Sequence, residues 1–422
     1  MAIMRRKRCC SEIRPSKKCS LTRTRRTQAG LSLIEMMVGM LIGLIASLVI
    51  MQSYSSSEIY RRNLSGVGDA LQSAAIAAQR LDLVIQEAGG GLARGSKVWG
   101  CKLLVNVAGT AVLPRASAFP SPFASVTQTL RAMPVAILNG GSSASDVILV
   151  MAGDSAAGNR PLSFSSVSGG SLVVSPTPAI GMGIKTSTDA SLYDLFLAVP
   201  QDIPNDPGDC RVVQAKSTFA PVTVATDASL GIKVATISSA EIPLNEATYG
   251  TVDASIYTKA PAAFHLGLRN LPTFALLGVN SNGELVQYDV LNRMDPQVFS
   301  ENIFLIKARY GLDNGVGGVD NDNAVDEWVS PSEAGWTMAE LMNGTLATQQ
   351  KIGYIKAIRI AMVIRSSQPV ASDAPMSKLL LFQDLPESRK FSRDLTTDEQ
   401  RYQYQVYEWV IPLRNMKTPP NV

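Results

Sequence analysis

Histidine is nearly missing from this chain of 422 residues; His265 is the only one. A catalytic relay or metal centre built on imidazoles would have to use it, and its apolar setting, Ala262-Ala263-Phe264-His265-Leu266-Gly267, reads as a core position. No Gly-x-Ser-x-Gly elbow is present, which removes the usual strand-turn-helix nucleophile. Gly181-Met182-Gly183-Ile184-Lys185-Thr186 lacks the upstream glycine of a phosphate loop, and Ile184 separates glycine from lysine. Charge is also sparse, at 18% of residues. The lone histidine, the missing elbow and the incomplete phosphate loop leave the sequence without a recognisable catalytic constellation.

What charge there is lies unevenly. Residues 1–30 hold ten Lys or Arg and one acid, whereas the remainder holds 29 basic and 34 acidic side chains. The overall balance of +4 therefore hides a mildly acidic body, which gives no electrostatic reason to expect nucleic-acid binding. Three of the five cysteines (Cys9, Cys10 and Cys19) also lie in the basic stretch. Only Cys101 and Cys210 remain beyond it. In an exported body they are candidates for one disulfide; two separate buried thiols is the other reading.

After the basic stretch comes a long apolar run. Leu31 to Ile50 is twenty residues with one charge, Glu35. At ~1.5 Å per residue a helix of that length spans a bilayer core of ~30 Å. The basic side chains precede the run and only Arg61 and Arg62 follow it closely, which sets the N-terminus in the cytoplasm and the body outside. Gln52-Ser53-Tyr54 behind the run is a poor secretory cleavage site, while the small residues Ala29-Gly30 stand before it. A carboxylate at such a depth costs several kcal/mol unless it is paired, so Glu35 asks for a partner. Gly39 and Gly43, four apart, form a small-xxx-small pair suited to close helix contact, although glycine is common in membrane helices generally.

The helical pattern continues beyond the run. Leu64, Val67, Leu71, Ala74, Ala78, Leu81, Ile85 and Ala88 step by three and four, one apolar stripe of an amphipathic helix that Gly89-Gly90-Gly91 ends. Strand patterns follow at Val147–Met151, Leu172–Val174, Ile303–Tyr310, Ile358–Ile364 and Tyr402–Val406, without regular helices between them. This order implies an α+β fold: a long N-terminal helix, membrane-spanning in its first part, packed on an antiparallel β-sheet head. No internal repeat is visible, and residues 155–260 read as short strands and long loops. The run from Asp313 to Glu327 places oxygen donors at Asp313, Asp320, Asp322 and Asp326, a loop chemistry that suits a hard cation such as Ca²⁺. It matches an EF-hand loop poorly, and the other reading is a solvated turn whose side chains cap its own backbone. No other cofactor is implied.

Gly30-Leu31-Ser32-Leu33-Ile34-Glu35 behind a basic leader resembles the type IV prepilin signature, with Leu31 where Phe is usual. Ala88-Gly89 followed by Gly100-Cys101, Glu301-Asn302 leading into Tyr310-Gly311-Leu312-Asp313, the acidic loop and the closing Arg414-Asn415 resemble the PilW minor pilins. The gap before Gly100-Cys101 is longer than usual in that family. The resemblance implies a leader at 1–30 that is removed, a helix at 31–90 crossing the inner membrane over 31–51, and a β-rich periplasmic or extracellular head at 91–422. It implies that a prepilin peptidase cuts between Gly30 and Leu31 and methylates the Leu31 amine, where glycine lets the backbone enter a tight cleft. It also implies that Glu35 pairs with a neighbouring subunit's N-terminus when the chain docks with other minor pilins, the major pilin and a tip adhesin. The expected function is a Gram-negative minor pilin that primes pilus assembly at the tip and ends on the pilus surface, in support of adhesion or twitching. A minor pseudopilin of a type II secretion system and a pilin-anchored calcium-dependent adhesin are the alternatives.

Overall fold

The computed structural model describes residues 32–92, 98–154, 161–174, 194–200, 208–216, 222–226, 233–237, 241–257, 261–268, 272–292, 295–320, 322–369 and 375–417. The chain divides into two compact units, Met1–Tyr60 and Arg61–Val422. Helix α1 (Leu33–Gln86) is one continuous element of 54 residues. Three short helices follow in the body: α2 (Glu246–Tyr249), α3 (Met338–Leu341) and α4 (Leu346–Tyr354).

Strands make up most of the regular structure among the described residues of the body. In chain order they are β1 (Lys102–Val107), β2 (Thr110–Leu113), β3 (Val135–Leu138), β4 (Val147–Ala152), β5 (Leu162–Ser168), β6 (Ser171–Val174) and β7 (Asp194–Val199). Then come β8 (Asp209–Gln214), β9 (Val222–Thr226), β10 (Lys233–Ile237), β11 (Glu241–Pro243), β12 (Ala262–Leu268), β13 (Thr273–Val279) and β14 (Leu285–Asp289). The last are β15 (Gln297–Ser300), β16 (Ile303–Leu312), β17 (Glu327–Val329), β18 (Ile355–Arg365), β19 (Lys378–Leu381), β20 (Phe391–Asp394) and β21 (Tyr404–Pro412). They form an eight-stranded sheet (β11-β6-β5-β12-β7-β8-β1-β2), a five-stranded sheet (β15-β14-β13-β4-β3), a four-stranded sheet (β17-β16-β18-β21) and two hairpins, β9-β10 and β19-β20. Each of these pairings is antiparallel except β1 with β8, which is parallel. The α+β class therefore agrees with the sequence pattern, but the head holds several sheets rather than one.

Within the second unit, Ala70, Ala74, Ala77, Leu81, Val84 and Ile85 of α1, and Ala88 just beyond it, join the main core, together with residues from all three larger sheets. The stripe is turned slightly from the spacing expected: Ala70 and Ala77 are buried, while Leu71 is 40% exposed. Alanine fills most of the contact line because it lets the helix lie close to the sheets, so the larger side chain is not the one turned inward. Strand β7 has both faces covered, with Leu195, Leu197 and Val199 in the main core and Phe196 and Ala198 in a second one. Strand β18 does the same: Ile358, Ile360, Met362 and Ile364 face the main core, and Ala361 and Val363 face a third core beneath the β19-β20 hairpin. Its sequence alternation therefore does not mark a solvent face.

Candidate functional site

The N-terminal site begins at the head of α1. Ser32 stands just before the helix and Glu35 is in its first turn. The Ser32 backbone N–H donates to Glu35 Oε2 at 3.2 Å, and the Met36 N–H donates to the Ser32 carbonyl at 3.2 Å. This is one arm of a capping box, in which a side chain three residues into the helix satisfies an orphan donor at its start. The pattern Ser-x-x-Glu, visible in the sequence as part of the processing and assembly signature, is thus also the start of a helix cap. The carboxylate also lies at the positive end of the helix dipole, which favours an anion. Gly30 and Leu31 lie outside the described residues.

From Leu33 to Ser55 the helix is apolar enough to cross a membrane: 23 residues of mean hydropathy 2.4, none of them buried. At ~1.5 Å per residue this is about 34 Å, enough for a bilayer core. Leu33, Ile34, Met40, Leu44 and Ile50 are exposed in a way that water would penalise. Gly39 and Gly43 have open space where a side chain would project, and the Ser47 hydroxyl bonds back to the Gly43 carbonyl at 2.8 Å.

The other end of α1 is tied into the body. The Gly89 N–H donates to the Met151 carbonyl (2.9 Å), and the Gly153 N–H donates to the Gly90 carbonyl (2.7 Å). The Asn415 amide donates to the Glu87 carbonyl at 3.0 Å, so a side chain from the far end of the sequence caps the helix C-terminus. Gly89 has φ +76°, and a Cβ there would also lie 2.9 Å from Met416 Sδ, so glycine is required. Ala88-Gly89 and Arg414-Asn415, separate in sequence, thus meet at one joint. Cys101 and Cys210 form a disulfide with Cα atoms 5.6 Å apart, beside the parallel β1–β8 pair, across a sequence separation of 109 residues.

In the segment leading to the acidic loop, Tyr310 is fully buried and its hydroxyl accepts from the Ile137 N–H at 2.6 Å. Burial pushes the Tyr310 phenol above its ordinary pKa. A Cβ on Gly311 would meet the Trp328 ring at 2.7 Å, which explains a glycine inside a strand.

The acidic loop itself does not gather its carboxylates. Asp326 Oδ2 accepts the Asn314 and Gly315 N–H groups (2.9 and 2.7 Å), Asp322 Oδ1 accepts that of Ala324 (2.7 Å), and buried Asp313 accepts that of Asn323 (2.9 Å). Among the described residues no three His, Cys, Asp or Glu side chains converge on a metal-sized site. Asp313, Asp322 and Asp326 thus cap the turn's own backbone, which is the geometry of the solvated-turn reading. Lys356 adds a cation beside this loop. Its ammonium is buried, bonds the Met416 carbonyl at 3.0 Å and already faces Asp313 and Asp320. Burial lowers its pKa, and those two aspartates partly restore it.

Two other buried polar groups are structural. His265 Nε2 lies 3.1 Å from Asp194 Oδ1, between β12 and β7 and against the Phe196 ring. Lys307 donates to Asp146 (2.8 Å) and to the carbonyls of Gly141 and Ala144, pinning the turn before β4 to β16. The Gly181–Thr186 segment lies outside the described residues.

Residues 25–51 match the prokaryotic N-terminal methylation motif, and residues 284–415 match the family described as type IV pilus-assembly protein W (PilW). The chain is a type IV prepilin-like protein. Over β14 to β21 the chain is similar to the PilW family, and its N-terminal apolar helix fits a membrane-anchored pilin. No curated protein and no solved structure matches the chain. Both matched families are of the structural pilin type. The PilW match ends at Asn415, the residue that caps α1.

Proposed function

We propose that this prepilin is a minor type IV pilin, cleaved between Gly30 and Leu31, methylated at the new amine, and inserted through α1 into the pilus, where it primes assembly at the tip. The observation that carries this reading is a single carboxylate, Glu35, in the first turn of an unburied apolar span inside an N-methylation motif. A prepilin peptidase supplies the cleavage and methylation. Before docking, Glu35 is held by the Ser32 N–H; on docking, the amine of a neighbouring subunit replaces that weak contact with an ion pair in a low-dielectric setting. Other minor pilins and the major pilin are the partners. Adhesion or twitching would then be properties of the assembled filament.

The test is Glu35→Ala. Cleavage before residue 31 stays normal, while the amount recovered in sheared pili falls by about tenfold or more, the scale of losing one desolvated ion pair. Full incorporation of that variant ends the pairing role. Immunogold labelling then separates a tip position from uniform labelling along the shaft, which would contradict priming at the tip.

A further inference from the structure

Strand β21 is the end strand of its sheet, and it is long. It covers nine residues, whereas the other end strands of the three larger sheets (β2, β3, β11, β15 and β17) cover three or four each, and those of the hairpins no more than five. Proteins usually keep edges short, bulged or interrupted, because an open edge pairs with other chains. No register shift breaks β21 along its pairing with β18, and the first proline is Pro412, at its last residue.

The register shows which groups are open. The Leu413 N–H donates to the Lys356 carbonyl (2.8 Å) and the Ser366 N–H to the Gln403 carbonyl (2.9 Å). Those bonds fix the alternation: Gln405, Tyr407, Trp409 and Ile411 exchange their backbone bonds with β18, and Val406, Glu408 and Val410 turn theirs outward. Among the described residues, no backbone hydrogen bond outside the β18 ladder reaches those three. The Val406 and Val410 side chains are 38% and 47% exposed, and the Glu408 carboxylate between them is already spent on Arg359 and on the Phe382 N–H. At the start of the strand a cleft of about 310 Å³ opens, lined by Val67 and Ala70 of α1 with Ile364, Met376, Tyr404 and Gln405.

We infer that β21 is an acceptor edge for an extended segment of a different polypeptide, with apolar side chains at alternate positions, which adds a fifth strand to this sheet and places one side chain in the cleft. The occupant's chemistry follows from the edge. Outward N–H and C=O groups at every second residue complement an extended backbone, and the valines and the cleft select its side chains. A second copy fits worse. Two-fold antiparallel self-pairing centred on the middle outward residue sets Glu408 opposite Glu408, an unfavourable like-charge pair. Two-fold parallel self-pairing closes no ladder, because parallel strands set an outward residue opposite an inward one, which two equivalent edges cannot do. The inference concerns the body and stands whether or not cleavage occurs before Leu31.

The test uses the full chain in detergent micelles with residue-resolved amide exchange. The probe is a synthetic peptide of alternating valine and threonine; its control carries N-methyl groups on alternate residues. In the chain alone, the amides of Val406, Glu408 and Val410 exchange about tenfold or more faster than those of Gln405, Tyr407 and Trp409. The peptide slows them by about tenfold and the N-methylated control does not. Val406→Thr still responds to the peptide and Val406→Pro, which removes one outward donor, does not. Slow outward amides without peptide, equal slowing by both peptides, no slowing at millimolar peptide, or dimerisation through this edge would each overturn the inference.

Discussion

The two halves of α1 differ in what covers them. From Leu33 to Ser55 every large apolar side chain is exposed; from Ala70 to Ile85 the inward residues are almost wholly covered by the body. The first half is greasy all round and needs lipid or other helices. The second is built mainly from alanine on its contact line and needs only the sheets beneath it. One helix thus carries two codes, and stability of the body should depend on the second alone.

The largest effect expected from this comparison is a contrast of leucines, measured by chemical denaturation of the full chain in detergent. Leu81→Ala should cost the body about 4 kcal/mol, the scale of a fully buried leucine, while Leu44→Ala should change it by less than about 0.5 kcal/mol. Equal losses would break the distinction. Next, replacing Cys101 and Cys210 together by serine should cost about 3 kcal/mol, because the bond closes a long loop beside the joint at the end of α1. Asn415→Ala removes the side chain that caps the Glu87 carbonyl, and should cost about 1 kcal/mol with faster amide exchange around Gly89 and Gly90. The smallest effect is an acid response of the body. The Arg359 guanidinium holds Asp384 below the ordinary carboxylate pKa. Its contribution is therefore present above the unfolded-state pKa and fades as pH falls through the folded value, so Asp384→Asn should flatten the acid limb of the stability profile slightly.

How much of this was legible in the residues differs by region. The helix was readable because hydrophobic periodicity over many turns is a strong signal, and Gly89-Gly90-Gly91 marked its end. Which face turned inward was read less well: the stripe included Leu71, whereas the packed line runs through Ala70 and Ala77, because close approach favours the smaller residue. Val147–Met151 and Ile303–Tyr310 were visible as apolar runs and lie in β4 and β16. The eight-stranded sheet was not, apart from Leu172–Val174 in β6, since its strands are short and joined across long separations, including the parallel β1–β8 pair. At the site, Glu35 stood out as a charge in an apolar run, but the role of Asn415 depends on a contact with Glu87 328 residues away. For the acidic loop, composition offers aspartates as ligands but does not show which backbone N–H groups they face. Calorimetric titration of the full chain with millimolar Ca²⁺ separates the two readings: the capped turn gives no saturable heat, and a saturable signal makes the loop a cation site.

The most direct measurement is the mass of the N-terminal peptide of the protein recovered from sheared pili. The proposal predicts a chain that begins at Leu31 and carries one methyl group on its amine. An N-terminus at Met1, or at any residue beyond the apolar span, would contradict it.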